Sequence, residues 1–443
     1  MTEFSTIVFL WVSNAFFNSN GLFLFKFSNV RFHDIMRQSF LHKRGVFLLT
    51  KSDKYCGIAI TVFALISYVS IAAGNVMLGI ATLCFFLYLL KNRKAIYIID
   101  KKYYLAIAVF IFTMFVSALA SGDIGKGLKV WSDLWLWRLM PFFIVTLAIK
   151  EAETAKKILV FSIIGITVGG LYLIYQGLVN HIRAAGFFGH PMTFAGYFCI
   201  YLPILFISFL EKNISGRWQW LAGCLFILNS VALMFNLTRG AWLAVASVVL
   251  LILIYYILKG NKLAVFSLIV LIAFGASMSS YQPFSKRLGS ITDANYQSNT
   301  ERILIWHSAF NMFKDHPLTG VGLGQYKDNY QHKYISHKAK EPKLSHAHNN
   351  FMQMLAENGI IGFAGFLTLI FCFIFYSFKR FIEENNPYAL MMCVSSLALV
   401  LQGMTEYNFG NSAVMKSFWL VQGCLLVLSA NWKKSQIARN EDF

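Results

Sequence analysis

The chain has 443 residues, of which 57% are hydrophobic and only 13% charged, about half the ~25% charged share of a soluble domain. Together 43 Phe, 20 Tyr and 10 Trp bring the aromatic share to 16%, and the mean hydropathy is +0.57. A disordered chain is excluded by this apolar surface, and a soluble multidomain enzyme by the long uncharged runs that recur from Tyr55 onward. The 39 Lys and Arg exceed the 20 Asp and Glu. Such an excess can mark nucleic-acid binding, but here it lies in short clusters between apolar runs, as in the cytoplasmic loops of membrane proteins. No nucleic-acid partner is expected. Seven cysteines fall in or beside apolar segments without any Cys-x-x-Cys pair, so neither a disulfide framework nor a zinc site is indicated.

Crossing the hydrocarbon core takes about 20 apolar residues. Met1 to Phe25 lacks a basic start and is broken by Asn14, Asn18 and Asn20. It predicts no cleavable signal peptide, only an interfacial or re-entrant helix. Spans are then predicted at 55–73, 76–90, 103–121, 131–149, 158–176, 191–210, 218–237, 241–258, 263–281, 359–377, 387–406 and 413–430. Lys43, Arg44, Lys51 and Lys54 precede the first span, and Lys91, Arg93 and Lys94 follow the second. Lys156 and Lys157 follow the fourth, Lys212 and Arg217 the sixth, Lys259 and Lys262 the eighth, Lys379 and Arg380 the tenth, and Lys433 and Lys434 the twelfth. Every even-numbered exit is basic, which predicts that both termini are cytoplasmic.

The expected fold class is an all-α polytopic membrane protein with about twelve transmembrane helices and one large, partly helical non-cytoplasmic connection. Its parts are an N-terminal cytoplasmic or interfacial segment 1–54, spans one to nine in 55–281, the connection 282–358, spans ten to twelve in 359–430, and a cytoplasmic tail 431–443. The connection has 77 residues, a length that usually carries function or disorder. Within it Ser298-Asn299-Thr300-Glu301 predicts a capping box, after which Ile303, Trp306, Phe310 and Phe313 share the face of a helix lying along the membrane. Pro317, Gly320, Gly322 and Gly324 end that helix. A second helix is predicted from His346-Ala347-His348, with His348 on the face of Phe351, Met352 and Leu355.

Three arginines on the non-cytoplasmic side carry the main chemical signal: Arg183 before the sixth span, Arg239 in the hairpin between spans seven and eight, and Arg302 in the connection. Singly each would be an interfacial anchor. Together, against the charge bias of the other side, they predict a phosphate-bearing ligand held by bidentate guanidinium forks. His348, at the mouth of the bundle, is the candidate general base. Neither the spacing of the other histidines nor any paired carboxylates support a metal site, so none is expected. Gly320-Val-Gly-Leu-Gly324 has no preceding strand and no following Gly-Lys-Ser, so it is not a nucleotide loop. Trp131, Trp135 and Arg138 share one helix face and could line a lipid or sugar groove or form an aromatic belt, and Glu406 with Lys416 reads as a structural pair. The helices lack an acidic chain of the kind a proton-coupled transporter needs.

His348-Asn349 followed, after nine residues, by Gly359-Ile360-Ile361-Gly362 resembles the periplasmic-loop signature of the O-antigen ligase and polymerase superfamily. Arg183 in its Gly-Phe-Phe-Gly-His-Pro context, Arg239 before Gly-Ala-Trp, and Arg302 four residues before a tryptophan resemble that family's recurring arginines. The likeness runs over about residues 180–365, with a matching helix count around it. The resemblance implies a multi-pass protein of the bacterial inner membrane with a periplasmic active site, metal-independent and without cofactor. Such a site would transfer a glycan from undecaprenyl pyrophosphate to a sugar hydroxyl of lipid A–core, inverting the anomeric centre, in lipopolysaccharide biosynthesis. Arg183, Arg239 and Arg302 would hold the pyrophosphate, His348 would take the acceptor proton, and membrane lipids would surround the polyprenol. An O-antigen ligase fits best, and a polymerase joining repeat units on the same carrier is the alternative. A protein oligosaccharyltransferase fits less well, because only about 13 residues follow the last span, and a transporter is a reading of another class.

Overall fold

The computed structural model describes residues 26–27, 30–31, 52–92, 98–180, 182–293 and 295–432. The helix predicted within Met1 to Phe25 and the tail after residue 432 lie outside the described residues. Apart from a two-residue antiparallel pairing of Lys26–Phe27 with Val30–Arg31, every regular element described is helical.

The helices of the bundle begin with α1 (Ser52–Ile66), α2 (Ile71–Lys91), α3 (Lys101–Leu119), α4 (Ile124–Ala148) and α5 (Ala152–Val179). There follow α6 (Pro191–Leu210), α7 (Gln219–Asn236), α8 (Arg239–Leu258) and α9 (Lys262–Ser279). Two helices of the connection come next, α10 (Gln282–Gly289) and α11 (Gln297–Asp315), and then α12 (Asn350–Glu384), α13 (Pro387–Gln402) and α14 (Ser412–Ala430). Among the described residues ten helices are long and apolar enough to cross a membrane, and α1 and α13 are shorter apolar helices. The chain is a multi-pass membrane protein, and these twelve elements fall on the twelve predicted spans. The differences are at the ends: α4 starts at Ile124 and α12 at Asn350, each ahead of its expected position.

Half of these helices, α12 included, start on a capping side chain. Ser70, Asp100, Asp123, Asn261, Asn386 and Asn411 each accept a hydrogen bond from the following first turn, satisfying N–H groups that lipid would leave bare. Inside α4 the turn Ser132–Leu136 is a π-turn, just ahead of Arg138 and Pro141. α6 forms the centre, packed on α7, α8 and α13, while α14 packs on α4 and α5.

The connection differs from expectation in two ways. α11 begins at Gln297 with no side-chain cap. Glu301 instead accepts the backbone N–H groups of Lys340 and Glu341 at 2.8 and 3.3 Å, because the chain folds back over the helix and offers it those donors. The buried stripe of α11 is Ile305, Ala309 and Met312, which form a small core with Tyr326, Tyr330, Ala347 and Ala356. Of the stripe read from the sequence, Ile303 and Phe310 stay exposed.

A backbone crossing ties the connection to α12. Val321 and Gly322 donate to the carbonyls of Ala356 and Glu357, and Ile360 and Ile361 donate to those of Pro317 and Leu318. α12 breaks at Gly359, whose φ is 56°. A Cβ there would lie 2.4 Å from the Leu318 backbone, and one on Gly320 2.3 Å from that of Glu357. Gly320 and Gly359 permit two main chains to touch, so the glycine run is structural.

Candidate active site

The site lies at the end of the bundle that carries the connection. Arg183 belongs to the segment between α5 and α6. Gln176 Oε1 accepts the N–H groups of Ala185 and Gly186, and Asn236 Nδ2 donates to the carbonyls of Ala184 and Pro191. Two spans thereby fix a segment whose described regular structure is one 3-10 turn, Gly186–Phe188. Arg183 then donates through Nε to the Asn236 carbonyl and through Nη2 to Thr238 Oγ1, each at 3.2 Å.

Arg239, buried at the start of α8, spends both terminal nitrogens on the connection. Nη1 donates to Ser290, at 2.6 Å to the carbonyl and 3.0 Å to Oγ. Nη2 donates to Ser298 Oγ and Asn299 Oδ1 at 2.9 and 2.8 Å. Tyr296 lies beneath it, 5.0 Å from guanidinium carbon to ring centre. Arg287, at the end of α10, donates to the Leu237 carbonyl and to Tyr296 Oη. Arg302 differs from the other three: among the described residues its guanidinium makes no hydrogen bond. All four arginines line one pocket with Thr238, Gln402, Thr405 and Glu406. Burial, opposed by Glu406 and reinforced by Arg287, pulls the Arg302 pKa below its ordinary value. Arginines crowded in this way gain from an anion among them.

His348 is half-buried, and its Nδ1 lies 3.2 Å from Glu406 Oε2. It does not start a helix. Asn349 is the N-cap of α12, accepting from Phe351 and Met352, and His348 precedes it with a φ of 48°. The side chain is therefore aimed by its turn and by Glu406, not by a helix face shared with Phe351, Met352 and Leu355. Trp306 Nε1 donates to the Ala347 carbonyl at 3.0 Å, Asn349 Nδ2 to that of Met404, and Asn350 N–H to that of Gly403 at 2.7 Å. These bonds lock His348 against the turn carrying Glu406. Burial would raise the Glu406 pKa, but its hydrogen bond to His348 and the charges of His348, His346 and Arg302 hold it below its ordinary value. An ionised Glu406 accepts a hydrogen bond from Nδ1–H, which leaves the Nε2 lone pair of His348 for a substrate.

The sequence did not point to three of these features. Glu406 was expected to pair with Lys416, but Lys416 instead donates to Asn75 at 2.6 Å. Arg287 sits in a basic run with no motif around it, so only the fold marks it. Nothing in the sequence places His346 inward, yet its ring centre lies 4.2 Å from that of His348 and 5.7 Å from that of Tyr407. Burial, then the proximity of His348, pushes its pKa down to about 4. The ligand atoms of His346, His348 and Glu406 lie within 4.8 Å of one another, close enough for a metal ion. The arginines around Glu406 repel a dication, so we assign the trio to hydrogen bonding. Of the proposed groove, Trp135 is buried edge-on against Phe110, Trp131 donates to the Ile111 carbonyl, and Arg138 is buried and donates to the Phe409 carbonyl at 2.8 Å.

The family described as O-antigen ligase matches residues 224–367, a stretch that contains Arg239, Arg287, Arg302 and His348 but not Arg183 or Glu406. A Haemophilus influenzae protein whose name assigns no activity is 22% identical over 357 residues, covering 73% of this chain and 86% of that protein. Proteins of Rickettsia prowazekii and Rickettsia typhi, whose names propose a polysaccharide ligase, are each 28% identical over 144 residues, covering 30% of this chain. The alignment spans about a third (32%) of each rickettsial protein.

Proposed function

From the chain's place in the O-antigen ligase superfamily, carried by residues 224–367, we propose that this membrane protein is an O-antigen ligase. It moves a glycan from undecaprenyl pyrophosphate to a sugar hydroxyl of lipid A–core, at the periplasmic face of the bacterial inner membrane and without a metal. The observation that carries the reading is the guanidinium of Arg302, which makes no hydrogen bond among the described residues and shares a pocket with Arg183, Arg239, Arg287 and the Glu406 that holds His348.

The chemistry follows from charge and proton balance. A pyrophosphate joined at one end to a sugar and at the other to a polyprenol carries two negative charges, and it gains a third as its bond to the anomeric carbon breaks. Four arginines against one carboxylate suit that load, and guanidinium forks bind its oxygens most strongly when the leaving charge is largest. His348 Nε2 removes the proton of the acceptor hydroxyl as that oxygen attacks the anomeric carbon. The carbon–oxygen bond to pyrophosphate breaks from the far side, so the configuration inverts. Glu406 balances the imidazolium that forms, the part a carboxylate plays beside a catalytic histidine elsewhere.

The test is transfer from a lipid-linked glycan to lipid A–core by purified protein, paired with donor binding. Arg302→Lys keeps the charge but loses the planar fork. It should bind donor at least about tenfold more weakly, with yield and melting temperature unchanged, since it releases no protein contact. Wild-type affinity in that variant would put the pyrophosphate elsewhere. A product in which single repeat units are joined on the carrier, with nothing on the core, would make the protein a polymerase.

A further inference from the structure

A second pair of cations lies away from the arginine pocket, and the proposed transfer gives neither a role. Lys416, in the second turn of α14, is 5% exposed, and Arg138 of α4 is 6% exposed. α4 and α14 pack together, and the two charges are near enough to repel each other. No carboxylate forms an ion pair with either among the described residues. Arg138 donates only to the Phe409 carbonyl, and its Nε is buried with no partner, as is Nε1 of the neighbouring Trp135. Lys416 reaches Asn75, an exposed residue in the first turns of α2, and its Nζ stands 5.8 Å from the ring centre of Trp137. The charge of Asp133 acts on Arg138 without forming an ion pair. Burying two like charges inside a membrane with no bonded counter-ion is costly, and such residues generally mark a ligand site.

We infer that Lys416, with Asn75 and Trp137 beside it and Arg138 behind it, binds the phosphate of a phosphorylated glycolipid in the leaflet on the connection's side. That lipid is the acceptor. The phosphate supplies the missing negative charge, Lys416 donates to it, Asn75 offers its amide at the lipid-exposed end, and the Trp137 ring flanks the first sugar. The turn between α13 and α14 links this site to the chemistry: its Phe409 carbonyl holds Arg138, its Tyr407 ring meets His346, and its Glu406 meets His348. Donor and acceptor phosphates would thus be held by different residues around one turn. The identity of the lipid as acceptor rests on the transfer reading; the existence of a phosphate site does not.

The probe is bisphosphorylated lipid A, titrated into the purified full-length protein in detergent, with binding read by native mass spectrometry. Its fully dephosphorylated form, phosphatidylglycerol and inorganic phosphate are separate arms. Lys416→Met should weaken bisphosphorylated lipid A about tenfold or more and leave the dephosphorylated form unaffected, while Lys416→Arg should bind near wild type. Arg302→Lys should not change this binding, because the donor pocket is separate. Equal affinity in wild type and Lys416→Met overturns the site. Phosphatidylglycerol or free phosphate binding as tightly as lipid A overturns the acceptor assignment. If Lys416→Met does not fold, loss of binding by Lys416→Arg together with an intact melting curve also counts against it. Lysine-dependent lipid A binding without any transfer would retain the phosphate site and remove the ligase reading instead.

Discussion

The bundle and the connection at its end are held together by different physics. In α6, 94% of the spanning window is buried, whereas in the equally apolar α9 it is 11%. Both cross the membrane, because lipid solvates α9 as well as protein solvates α6. The connection has only a small core around Ile305, Ala309 and Met312. Polar bonds hold it as well, among them the backbone crossing at Gly320 and Gly359, the four bonds from Arg239, those of Arg287 and Asn349, and Glu301 folding back to residues 340 and 341. Apolar burial builds the scaffold, and polar bonds set the site on it. A substitution in one region should therefore read out differently from a substitution in the other.

The largest separation is expected at His348. Removing a positioned base typically costs about 10² to 10⁴-fold in turnover. His348→Ala should lose transfer to that extent, with donor binding and melting temperature retained. Near-wild-type turnover would remove His348 as the base, and loss of donor binding as well would make it a phosphate ligand. Gly359→Ala tests the opposite case, a change in which fold and not chemistry fails. Its positive φ and the contact with the Leu318 backbone predict a loss of about 3 kcal/mol or more, seen as low yield and early proteolysis between residues 282 and 358. A well-folded Gly359→Ala protein would show that the crossing is not tight.

Smaller effects are expected at the partners of the base. Glu406→Gln should lower turnover about tenfold while donor KM stays within a few-fold, since the amide still fills the space but no longer balances the imidazolium. A change in KM alone would place Glu406 in donor binding. The smallest effect concerns His346, whose pKa of about 4 in the folded protein lies below that of an exposed histidine, about 6.5. The folded state binds fewer protons than the unfolded state between these values, so stability should be full above about pH 6.5 and fall as the pH drops towards 4. His346→Gln should flatten that part of the melting-temperature profile. An unchanged profile would mean that other groups cause the acid loss.

The sequence showed the scaffold far better than the site. The apolar helices could be read because hydropathy reports transfer into lipid directly, whether the partner is lipid, as for α9, or protein, as for α6. Arg183, Arg239 and Arg302 could be read because a charge beside a span needs a reason, and they do line one pocket. Arg287 could not, since it follows Lys286 in a polar stretch where basic residues need none. Glu406 was assigned to Lys416 because each flanks the turn between α13 and α14; only the path of the chain before α12 shows that His348 arrives there first. The inward turn of His346 could not be read for a related reason. Its direction depends on the non-helical turn at His348, which helical periodicity cannot represent.

The crossing at Gly320 and Gly359 also bears on biogenesis. It joins residues about 40 positions apart, 317–322 with 356–361, through bonds between main chains. Nothing can close it until the whole connection has emerged on its side of the membrane and the first turns of α12 have formed. The pocket is therefore a late product of assembly, completed after nine spans are already in place. Faults in this joint should appear to quality-control proteases as an unfinished chain, and cells would register them as missing protein before they registered a slow enzyme.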